Sequence, residues 1–580
     1  MTSNDELAAV LGELAMLTKL ADGSAQSFRV RAYERAVDAV RSLDHEAADM
    51  TATELKQVEG IGDSTADKIR EYVETGTIAK LEELRAEYPP ELVELMRIPG
   101  MGPKTVILVR DELGVGSVDD LRAAIAEERL RELPGMGAKS EEKIGAAIER
   151  LGLHGKERRT PIIEVIPVAT QIVGALDAVP GVVAVEYAGS LRRFLETIGD
   201  VDVVVASTDP VAVTNALLAL PVVKDVLAHG ETKSAILTAA NLQVDLRVVR
   251  PDQFGAALLY FTGSKSHNIE LRQRAMGRDQ ILNEYALADA ETDAVIASAT
   301  EADIYAALDL DWIAPPLREG RGEVRAAADG ELPALVEVSD LRGDLHVHST
   351  WSGDGRSSLE DMVAAASARG LEYVAITEHG EDLAINGLSR EKVLEERALL
   401  EELRAGYPDM AILHGAELNI GRGGDVDYDP DFLASFDWCV ASVHSLFDLS
   451  QAEQTGRIIA AMENPAVNVI GHLTGRRIGR RPGIDVDIDA VFDAAAETGT
   501  ALEINSHLDR LDVPADLLFR AHARDDVRFV VSTDSHHTSE FANARWGVLN
   551  AQRGWIDRSV IANTLPRDRF LAWVSSVRNR

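Results

Sequence analysis

The chain has 580 residues, 46% of them hydrophobic and 27% charged, with a single cysteine and a formal net charge of −37. This length predicts three to five domains, the lone Cys439 excludes an intrachain disulfide framework, and no apolar run approaches the roughly 18 residues of a membrane span. The negative net charge disfavours nucleic-acid binding by the chain as a whole, but local basic patches such as GRRIGRR (475–481) could still bind a phosphate backbone. The acidic, amphipathic first residues indicate a helix and not a signal peptide, so we expect a cytoplasmic protein.

One pattern occurs three times in the first 150 residues: an apolar residue, Gly-x-Gly, and then a helix. The copies are VEGIGDSTADKI (58–69), IPGMGPKTVILV (98–109) and LPGMGAKSEEKI (133–144). Glycine allows the positive φ of a tight turn, and the turn leaves backbone N–H groups at a helix start, where they suit a phosphate. This helix-hairpin-helix pattern predicts sequence-independent binding to a DNA backbone through Gly60, Gly62, Gly100, Gly102, Gly135 and Gly137, helped by Lys68, Lys104 and Lys139.

From about residue 160 to 250, short β-rich runs alternate with helices, and the run GDVDVVV carries Asp200 and Asp202. A strand places both carboxylates on one face, where they repel each other unless a cation bridges them. Taken alone, this pair of aspartates would favour an exposed acidic strand edge. However, AGSLRR (188–193) just before it suits a polyphosphate, and Asp245 in LQVDLRVV supplies a third carboxylate. Three carboxylates without histidine favour Mg²⁺; we call these three residues the aspartate site.

After residue 340, apolar strands alternate with helices, which predicts a barrel-like α/β domain. Ten of the 14 histidines lie there, and the functional side chains of such a domain gather where its strands end. Imidazole with carboxylate suits Mn²⁺, Zn²⁺ or Fe²⁺ better than Mg²⁺. Nine candidate ligands are too many for one ion, so we expect two or three ions and the hydrolysis of a phosphoester. We call these nine the histidine site: His346, His348, Asp354, His379, Glu417, His444, His472, Asp534 and His536.

Residues 1–318 resemble the family X DNA polymerases, the relatives of DNA polymerase beta. After the first hairpin the matching motifs follow in order: GSLRR, GDVDVVV, GETKSAI, VDLRVVRPDQF, YFTGSKSHN and LNEYAL. The resemblance implies that Asp200 and Asp202 hold two Mg²⁺ ions and that Asp245 completes the catalytic-metal site beside the primer 3′-OH. It implies nucleotide-binding roles for Gly189, Ser190, Arg193, Tyr260, Phe261, Gly263, Asn268 and Arg272.

Within that set, the resemblance gives Tyr260 and Phe261 the exclusion of ribonucleotides. It assigns Asn268 to the minor-groove edge of the incoming base and Arg272 to the template strand. Both aromatics could instead be core residues, and both polar residues could be ordinary surface residues. Lys68 is also open, because in some relatives a lysine of this hairpin attacks an abasic 5′ sugar as a free amine, whereas a lysine that only contacts phosphate would look the same in sequence.

Residues 340–575 look like a PHP (polymerase and histidinol phosphatase) domain, and the resemblance implies that all nine residues of the histidine site are ligands. The chain departs from the family twice, because SGDG contains an extra Gly353 and Glu378 stands where an aspartate commonly precedes the histidine. The loop must therefore bulge for Asp354 to reach the metals. Asp344 is expected to support the ligands. We expect that His414, His507 and His537 are not ligands, while the arginines of GRRIGRR either hold DNA phosphates or form a solvated loop: Arg476, Arg477, Arg480 and Arg481.

These patterns predict a multidomain fold. Its expected parts are an all-α helix-hairpin-helix domain (1–84), a helical fingers-like domain with two more such motifs (85–155), an α/β nucleotidyltransferase palm (156–250), a thumb that binds the nascent base pair (251–318), a linker (319–339) and a distorted (β/α) barrel with metal-dependent phosphoesterase activity (340–576).

Four functions fit this fold. The first is a repair polymerase that fills short gaps and carries a 3′–5′ exonuclease, acting on gapped or primer–template DNA and deoxynucleoside triphosphates, as a monomer associated with the nucleoid. The second is a 3′-end-processing nuclease or phosphatase whose polymerase half mainly binds DNA. The third is a non-catalytic scaffold, and the fourth is a small-molecule phosphatase. The complete set of three aspartates favours the first, and the fused hairpins favour DNA as the substrate.

Overall fold

The computed structural model describes residues 4–23, 27–41, 43, 47–58, 60–89, 92–93, 95–98, 100–151, 159–383 and 385–578. The chain divides into two compact units, one up to residue 158 and the other from residue 159. Within the described ranges, no helix is both long and apolar enough to cross a membrane.

The first unit is helical in all its described parts. Apolar side chains three or four residues apart, such as Leu7, Leu11 and Leu14, are buried in one shared core. Short 3₁₀ turns occur at Ala47–Asp49, Leu95–Arg97 and Leu130–Glu132. The α-helices are α1 (Asn4–Ala21), α2 (Phe28–Arg41), α3 (Ala52–Leu55), α4 (Asp63–Thr75), α5 (Ala79–Glu87), α6 (Pro103–Leu113), α7 (Val118–Ala126) and α8 (Ala138–Leu151).

The second unit begins with a five-stranded sheet flanked by helices. Its strands are ordered β2-β4-β7-β6-β5 and only β4 and β7 are parallel, while β1 and β3 pair separately. The valines of β4 are buried, whereas its first residue is exposed, so the aspartates lie at the open end of a central strand. The elements are β1 (Thr160–Pro161), α9 (Ile162–Asp177), β2 (Val182–Tyr187), α10 (Gly189–Arg192), β3 (Thr197–Ile198), β4 (Asp200–Ser207), α11 (Pro210–Leu218), β5 (Val223–His229), β6 (Lys233–Thr238) and β7 (Gln243–Val249).

A smaller α+β segment follows, with a three-stranded antiparallel sheet of order β10-β9-β8. Its 3₁₀ turns are Pro251–Gln253 and Pro315–Leu317. Its elements are α12 (Phe254–Thr262), α13 (Lys265–Met276), β8 (Gln280–Leu282), β9 (Leu287–Asp289), β10 (Val295–Ala297) and α14 (Glu301–Ala307).

The segment 319–339, expected to be a linker, is packed against this α+β part. It contains helix α15 (Glu323–Asp329), whose Glu323 is completely buried. The Glu323 carboxylate accepts hydrogen bonds from the backbone N–H groups of Gly320 and Arg321 and lies 2.8 Å from His267 Nδ1. The expected linker is thus a packed connection, in which a charge that suggested exposure is satisfied inside the fold.

The remainder forms a barrel of seven parallel strands, β11 to β17, paired in chain order. A parallel bridge between Val347 and Ser535 joins the first strand to the segment after the last, so the sheet nearly closes and confirms the barrel expectation. The elements are β11 (Gly343–Val347), α16 (Leu359–Ala368), β12 (Tyr373–His379), α17 (Arg390–Arg404), β13 (Ala411–Asn419), α18 (Pro430–Leu433), β14 (Trp438–Ser442), α19 (Gln451–Met462), β15 (Val469–Gly471), α20 (Ile488–Thr498), β16 (Ala501–Asn505), α21 (Ala515–Arg520), β17 (Phe529–Ser532), α22 (Ala544–Arg553) and α23 (Arg567–Arg578). Short 3₁₀ turns occur at Val338–Asp340, Thr538–Asn543, Arg558–Val560 and Ala562–Thr564.

The five-stranded sheet and the barrel share a hydrophobic contact. Ile478, Leu511 and Trp546 of the barrel belong to the apolar cluster that packs the five-stranded sheet. The Trp546 ring stacks on Phe194, with centroids 5.8 Å apart and an angle of 9° between the planes. The second unit is therefore packed continuously from the sheet to the barrel.

Candidate active sites

The helix-hairpin-helix turns have the backbone geometry that their glycines predict. Gly60, Gly100 and Gly135 have φ values of 98°, 95° and 80°. Gly62 and Gly102 precede α4 and α6 in extended conformation, and no side chain caps either helix start. A Cβ added at Gly62, Gly102 or Gly137 would meet nothing within 4 Å, so the approach to these N–H groups is open.

Lys68 lies in α4 and is partly exposed. Its Nζ donates a hydrogen bond to Ser64 Oγ at 3.0 Å and lies 6.0 Å from the centre of the Tyr33 ring. These contacts hold the amine beside the first hairpin, and they fit either a phosphate contact or a nucleophile.

The aspartate site is assembled by the parallel pair β4 and β7. Asp202 is in register with Asp245, and Asp200 lies two residues earlier on the same strand. Burial, together with the charges of Asp200 and Asp245, raises the pKa of Asp202 to about 7. Negative charge is thus concentrated where a divalent cation bound by oxygen would neutralise it.

Gly189, at the start of α10, touches this site closely. Its φ is 59°, and an added Cβ would lie 2.4 Å from Asp202 Oδ2. The Ala188 N–H donates to the Asp202 backbone oxygen at 2.7 Å. Half-buried Ser190 follows in α10. The motif AGSLRR can therefore approach the aspartates this closely only because Gly189 has no side chain.

Arg193 ends that motif and is held on two sides. Its Nε donates to Glu319 at 2.8 Å and its Nη1 to the Thr262 backbone oxygen at 2.5 Å. A Cβ added at Gly263 would come within 3.3 Å of Nη1. The structure thus brings Arg193 and the YFTGS motif together.

Three predicted nucleotide-site residues line one small indentation: Tyr260, Asn268 and Arg272. Asn268 Nδ2 donates to the Tyr260 backbone oxygen at 2.8 Å. Phe261 meets Tyr260 edge to face at 5.2 Å. Tyr260 is 38% exposed, so it is not a core aromatic, whereas Phe261 is half-buried and packs on a small apolar cluster.

The histidine site lies at the carboxyl ends of the barrel strands. A cavity of about 390 Å³ is lined by Asp354, His379, Glu417, His444, His472, Asp534 and His536. His346 and His348 are completely buried, and the Nε2 atom of each lies 3.3–3.6 Å from carboxylate oxygens of Glu417 and Asp534. All nine predicted ligands are therefore gathered at one place.

Glu417, near the end of β13, stands at the centre of these contacts. Its Oε2 lies 2.9 Å from His379 Nδ1, and its Oε1 lies 3.1 Å from His444 Nε2 and 2.8 Å from His472 Nε2. Within the described residues, three groups place their ligand atoms within 4.8 Å of one another: His348, His379 and His536; His346, His348 and Asp534; and His379, Glu417 and His444.

The donor atoms of this site fit metal ions. His346 Nε2 and His348 Nε2 are buried and have no hydrogen-bond partner among the described residues, although buried polar atoms are normally bonded. The other ring nitrogen of His346 is 2.7 Å from Glu503, and His444 Nδ1 is 2.7 Å from Asn419 Oδ1. Such partners fix the orientation of metal-binding imidazoles.

Asp354 reaches the site despite the extra glycine. Its Oδ2 lies 3.4 Å from His379 Nε2 and 3.6 Å from His536 Nε2, and it accepts a hydrogen bond from Asn386 Nδ2 at 2.8 Å. A Cβ on Gly353 would come within 2.7 Å of Asn386 Oδ1. The extra glycine therefore lets the loop pass close to Asn386 as it turns Asp354 inward.

Glu378 shapes the same loop. Its Oε1 accepts hydrogen bonds from the Ser349 N–H at 2.8 Å and from Ser349 Oγ at 2.5 Å. Its Oε2 accepts from the Ser352 N–H at 3.0 Å and from Ser352 Oγ. The residue that departs from the family pattern thus binds the loop that carries the other departure.

The four arginines of GRRIGRR do not act as one group. Arg476 lies 2.6 Å from Glu196 and donates to two backbone oxygens. Arg481 lies over the Phe447 ring at 4.0 Å and donates to the Gly475 oxygen. Arg480 is exposed. Of the four, Arg477 lines the cavity of the histidine site.

The other predicted residues fall into three positions. Buried Asp344 accepts hydrogen bonds from Thr533 at 3.1 and 2.5 Å, which fits its expected supporting role. His414 is buried away from the cavity, beside Arg397 and Phe436. His537 pairs with Ser539 at 2.8 Å.

Sequence reasoning missed several residues at the histidine site. Arg356 and Arg510 line the cavity, and so does His507, which the sequence places near the site but not as a ligand. Glu503 Oε2 also accepts from the His472 N–H at 2.6 Å. The one signal for Glu503 is a carboxylate inside the apolar strand run ALEIN.

Four family models match the chain. They are a helix-hairpin-helix domain at residues 2–78, a SAM-like helix-hairpin-helix tandem at 92–150, the DNA polymerase beta thumb at 257–319, and the PHP domain at 344–507. The matches follow the order of the structural parts described above.

Curated relatives match either most of the chain or about a third of it. "Probable phosphatase" proteins are 30% identical over 204 residues in Acetivibrio thermocellus (34% of this chain, 80% of the relative) and 33% over 166 residues in Syntrophotalea carbinolica (28% and 65%). The "DNA polymerase/3'-5' exonuclease PolX" of Bacillus subtilis is 36% identical over 540 residues, covering 92% of this chain and 93% of the relative. The chain therefore belongs to the PolX family, the family X DNA polymerases that carry a C-terminal PHP domain.

Proposed function

We propose that this protein fills short gaps in DNA during repair by nucleotidyl transfer at the aspartate site, and removes nucleotides from DNA 3′ ends at the histidine site. The observation that carries the proposal is that each site holds its full set of side chains on one framework. The Bacillus subtilis relative, named for both activities, matches both halves of the chain.

At the aspartate site, Asp200, Asp202 and Asp245 would hold Mg²⁺, the ion that three carboxylates favour. Bound there, two such ions supply activation of a primer 3′-OH and neutralisation of the leaving pyrophosphate. Gly189 and Ser190 offer the triphosphate a close backbone approach, and Arg193 offers it a cation. Tyr260 and Phe261 would flank the sugar of the incoming nucleotide. Asn268 would face the edge of its base, and Arg272 would face the template strand.

At the histidine site, the nine ligands would hold two or three Mn²⁺ or Zn²⁺ ions, because imidazole and carboxylate together suit these metals. Ions bound there supply a water of lowered pKa and a clamp for the phosphate oxygens. Glu503 and Asn419 orient the imidazoles, and the cavity-lining Arg477 and Arg510 provide positive charge for the DNA phosphate.

The helical first unit would hold the DNA backbone at its open helix starts. We propose the six domain limits given by the sequence, with 319–339 as a packed connection. Lys68 stands beside the first hairpin, where it would meet a 5′ end, and lyase chemistry there is part of the proposal. The substrates are gapped or primer–template DNA and deoxynucleoside triphosphates, and the protein acts as a monomer.

A second candidate is a 3′-end nuclease or phosphatase in which the polymerase half only binds DNA. It is favoured by the relatives named probable phosphatases, which match 34% and 28% of the chain. Against it stands the register of Asp202 with Asp245 beside Asp200, since a surface that only binds DNA would not gather carboxylates facing the phosphates.

A labelled gapped primer–template tests the proposal, with Mg²⁺ or Mn²⁺ and with or without deoxynucleotides. Asp245→Ala should abolish extension, because the aspartate site loses a ligand, and should leave primer shortening intact. His346→Ala should do the reverse. Primer lengths on a sequencing gel measure both.

Two variants serve as controls. Asp252→Ala removes an exposed carboxylate that pairs with Arg250, and His537→Ala removes a histidine outside the cavity; both should keep both activities. A wild-type protein that never extends the primer would refute the polymerase half of the proposal. A primer that never shortens would refute the exonuclease half.

A further inference from the structure

Arg193, the cation proposed for the triphosphate, is held by a residue from outside the five-stranded sheet. Glu319 lies in the connection between the α+β segment and the barrel, and its Oε1 accepts from Arg193 Nε at 2.8 Å. Because Arg193 Nη1 also donates to the Thr262 oxygen, Glu319 helps to fix where the guanidinium points.

The same Glu319 oxygen binds a residue of the barrel. Arg553, the last residue of α22, donates through Nη1 to Glu319 Oε1 at 2.9 Å and to the Arg193 backbone oxygen at 3.3 Å. The side chains of Arg193, Glu319 and Arg553 are 12%, 17% and 13% exposed. Charges shielded from water in this way act on one another and on a nearby ligand more strongly than surface charges do.

The charges of this trio decide its effect on an anionic ligand. Arg193 and Glu319 alone would cancel each other, and Arg193 would present no net charge to a triphosphate. With Arg553 included the trio carries one net positive charge, and Glu319 divides its attraction between two cations. The barrel thereby keeps the charge of Arg193 available at the other active site.

We propose that Arg553 is a positioning residue for nucleotide binding: acting through Glu319, the barrel sets the affinity of the aspartate site for a nucleoside triphosphate. The inference rests on the proposed function, because it takes the triphosphate to bind beside Arg193. It makes the PHP domain part of the polymerase site as well as the carrier of a hydrolytic site.

Steady-state extension of a gapped primer tests this with the full-length protein. Arg553→Ala should raise the KM for the deoxynucleotide roughly tenfold, equivalent to about 1.4 kcal/mol of binding free energy, with kcat changed less than twofold. Arg553→Lys should recover most of the loss. Primer shortening without nucleotides should not change. Arg545→Ala removes the same charge from the same helix, where Arg545 is exposed and covers Trp546, and should leave KM unchanged.

A double variant separates this charge effect from simple loss of structure. Glu319→Gln combined with Arg553→Ala returns the trio to one net positive charge, and the Gln oxygen can still accept from Arg193. KM should therefore return to within about threefold of wild type. A double variant worse than Arg553→Ala would overturn the proposal, and so would an unchanged KM in a folded Arg553→Ala protein.

A binding measurement keeps the outcome separate from that of the proposed function. Calorimetry with a non-hydrolysable deoxynucleoside triphosphate needs no turnover. If the wild type fails to extend primers, the proposed function is refuted, yet weaker triphosphate binding by Arg553→Ala would still support the inference. Equal binding by both proteins would overturn it.

Discussion

Gly189 brings the backbone of AGSLRR into contact with the aspartate site. Because its φ is 59° and a Cβ would lie 2.4 Å from Asp202 Oδ2, Gly189→Ala must strain the turn or displace the Asp202 carboxylate. We expect kcat/KM for extension to fall at least about 100-fold, while primer shortening at the histidine site stays within twofold. Extension and shortening assays on one preparation measure both.

Gly174 offers the matched control for this substitution. It lies within α9, is exposed, and has nothing within 4 Å of an added Cβ. Gly174→Ala should therefore keep full extension and raise the free energy of unfolding by about 0.5–1 kcal/mol. If Gly189→Ala extended primers as well as Gly174→Ala, the close approach to Asp202 would have no role in the reaction.

Residue type and spacing predicted that the nine residues of the histidine site gather, but not which neighbours orient their side chains. His346 and His348, two apart on a strand, had to face one side, and the structure places all nine predicted ligands together. Glu503 was not predicted because a single carboxylate in an apolar strand forms no spacing pattern with other candidate residues. Arg476 and Arg477 are adjacent, yet one binds Glu196 and the other lines the cavity, a division that only the fold decides.

Glu378 binds the loop after β11 through both of its carboxylate oxygens. Among the described residues, the four hydrogen bonds that this carboxylate accepts come from Ser349 and Ser352, and the loop then carries Asp354 toward the rest of the histidine site. In Glu378→Gln the side-chain NH₂ would face donors, so about half of the bonds would be lost. We expect exonuclease activity to fall about 10- to 100-fold and primer extension to stay unchanged. Parallel assays of the two activities measure both.

Glu381→Gln is the control for this variant. Glu381 is exposed on the following loop and pairs with Arg390, so its loss should change neither activity. Added Mn²⁺ gives a second reading, because a loosened loop should raise the Mn²⁺ concentration needed for half-maximal shortening. If Glu378→Gln kept wild-type exonuclease activity and a wild-type response to Mn²⁺, the loop would not depend on the hydrogen bonds to Glu378.

At the scale of elements, the pattern of strands and helices predicted the barrel, whereas the composition of residues 319–339 did not reveal how they pack. The alternation of apolar strands and helices after residue 340 predicted the barrel, because its strands are buried on both faces and are therefore continuous apolar runs. Residues 319–339 contain glycine and charge, which suggested a linker. Helix α15 is packed there because Glu323 finds His267 and two backbone N–H groups, and such long-range satisfaction leaves no local signal.

Acid stability should depend on one buried ion cluster that joins α10, α14 and the turn before α15. Burial raises the pKa of Glu301, but Arg318 and Arg192 outweigh it and hold that pKa at about 2, below the ordinary 4.5. The unfolded chain therefore binds the proton more readily, and the stabilisation is complete above pH 4.5 and is lost as pH falls toward 2. The shift corresponds to about 3 kcal/mol.

Glu301→Gln tests this dependence. Urea unfolding followed by tryptophan fluorescence should show a large loss of stability at pH 6 and a clearly smaller one at pH 3, because the wild type has by then lost part of the same stabilisation. Asp311→Asn, at an exposed position, should lower stability at neither pH. An equal loss at both pH values would contradict the assignment to Glu301 ionisation.

At the scale of the whole molecule, sequence predicted two chemistries on one chain but not their physical connection. Phe194 and Trp546 are 352 positions apart and meet by ring stacking, and Arg476 meets Glu196 across the same boundary. Neither residue of a pair carries a local pattern for the other. The contact follows from the fold of both parts, and it makes the sheet and the barrel one packed unit.

That contact predicts how the molecule unfolds. Trp546 is only 7% exposed and stacks on Phe194, so Trp546→Ala should destabilise the joined unit by about 3–5 kcal/mol. Because the lost contacts lie between the sheet and the barrel, calorimetry should resolve separate transitions where the wild type has a joint one. Trp573→Ala is the control, since Trp573 packs on Phe570 and Trp438 inside the barrel; it should lower the transition without dividing it. If both variants gave one joint transition, the sheet and the barrel would be held together by something other than this aromatic contact.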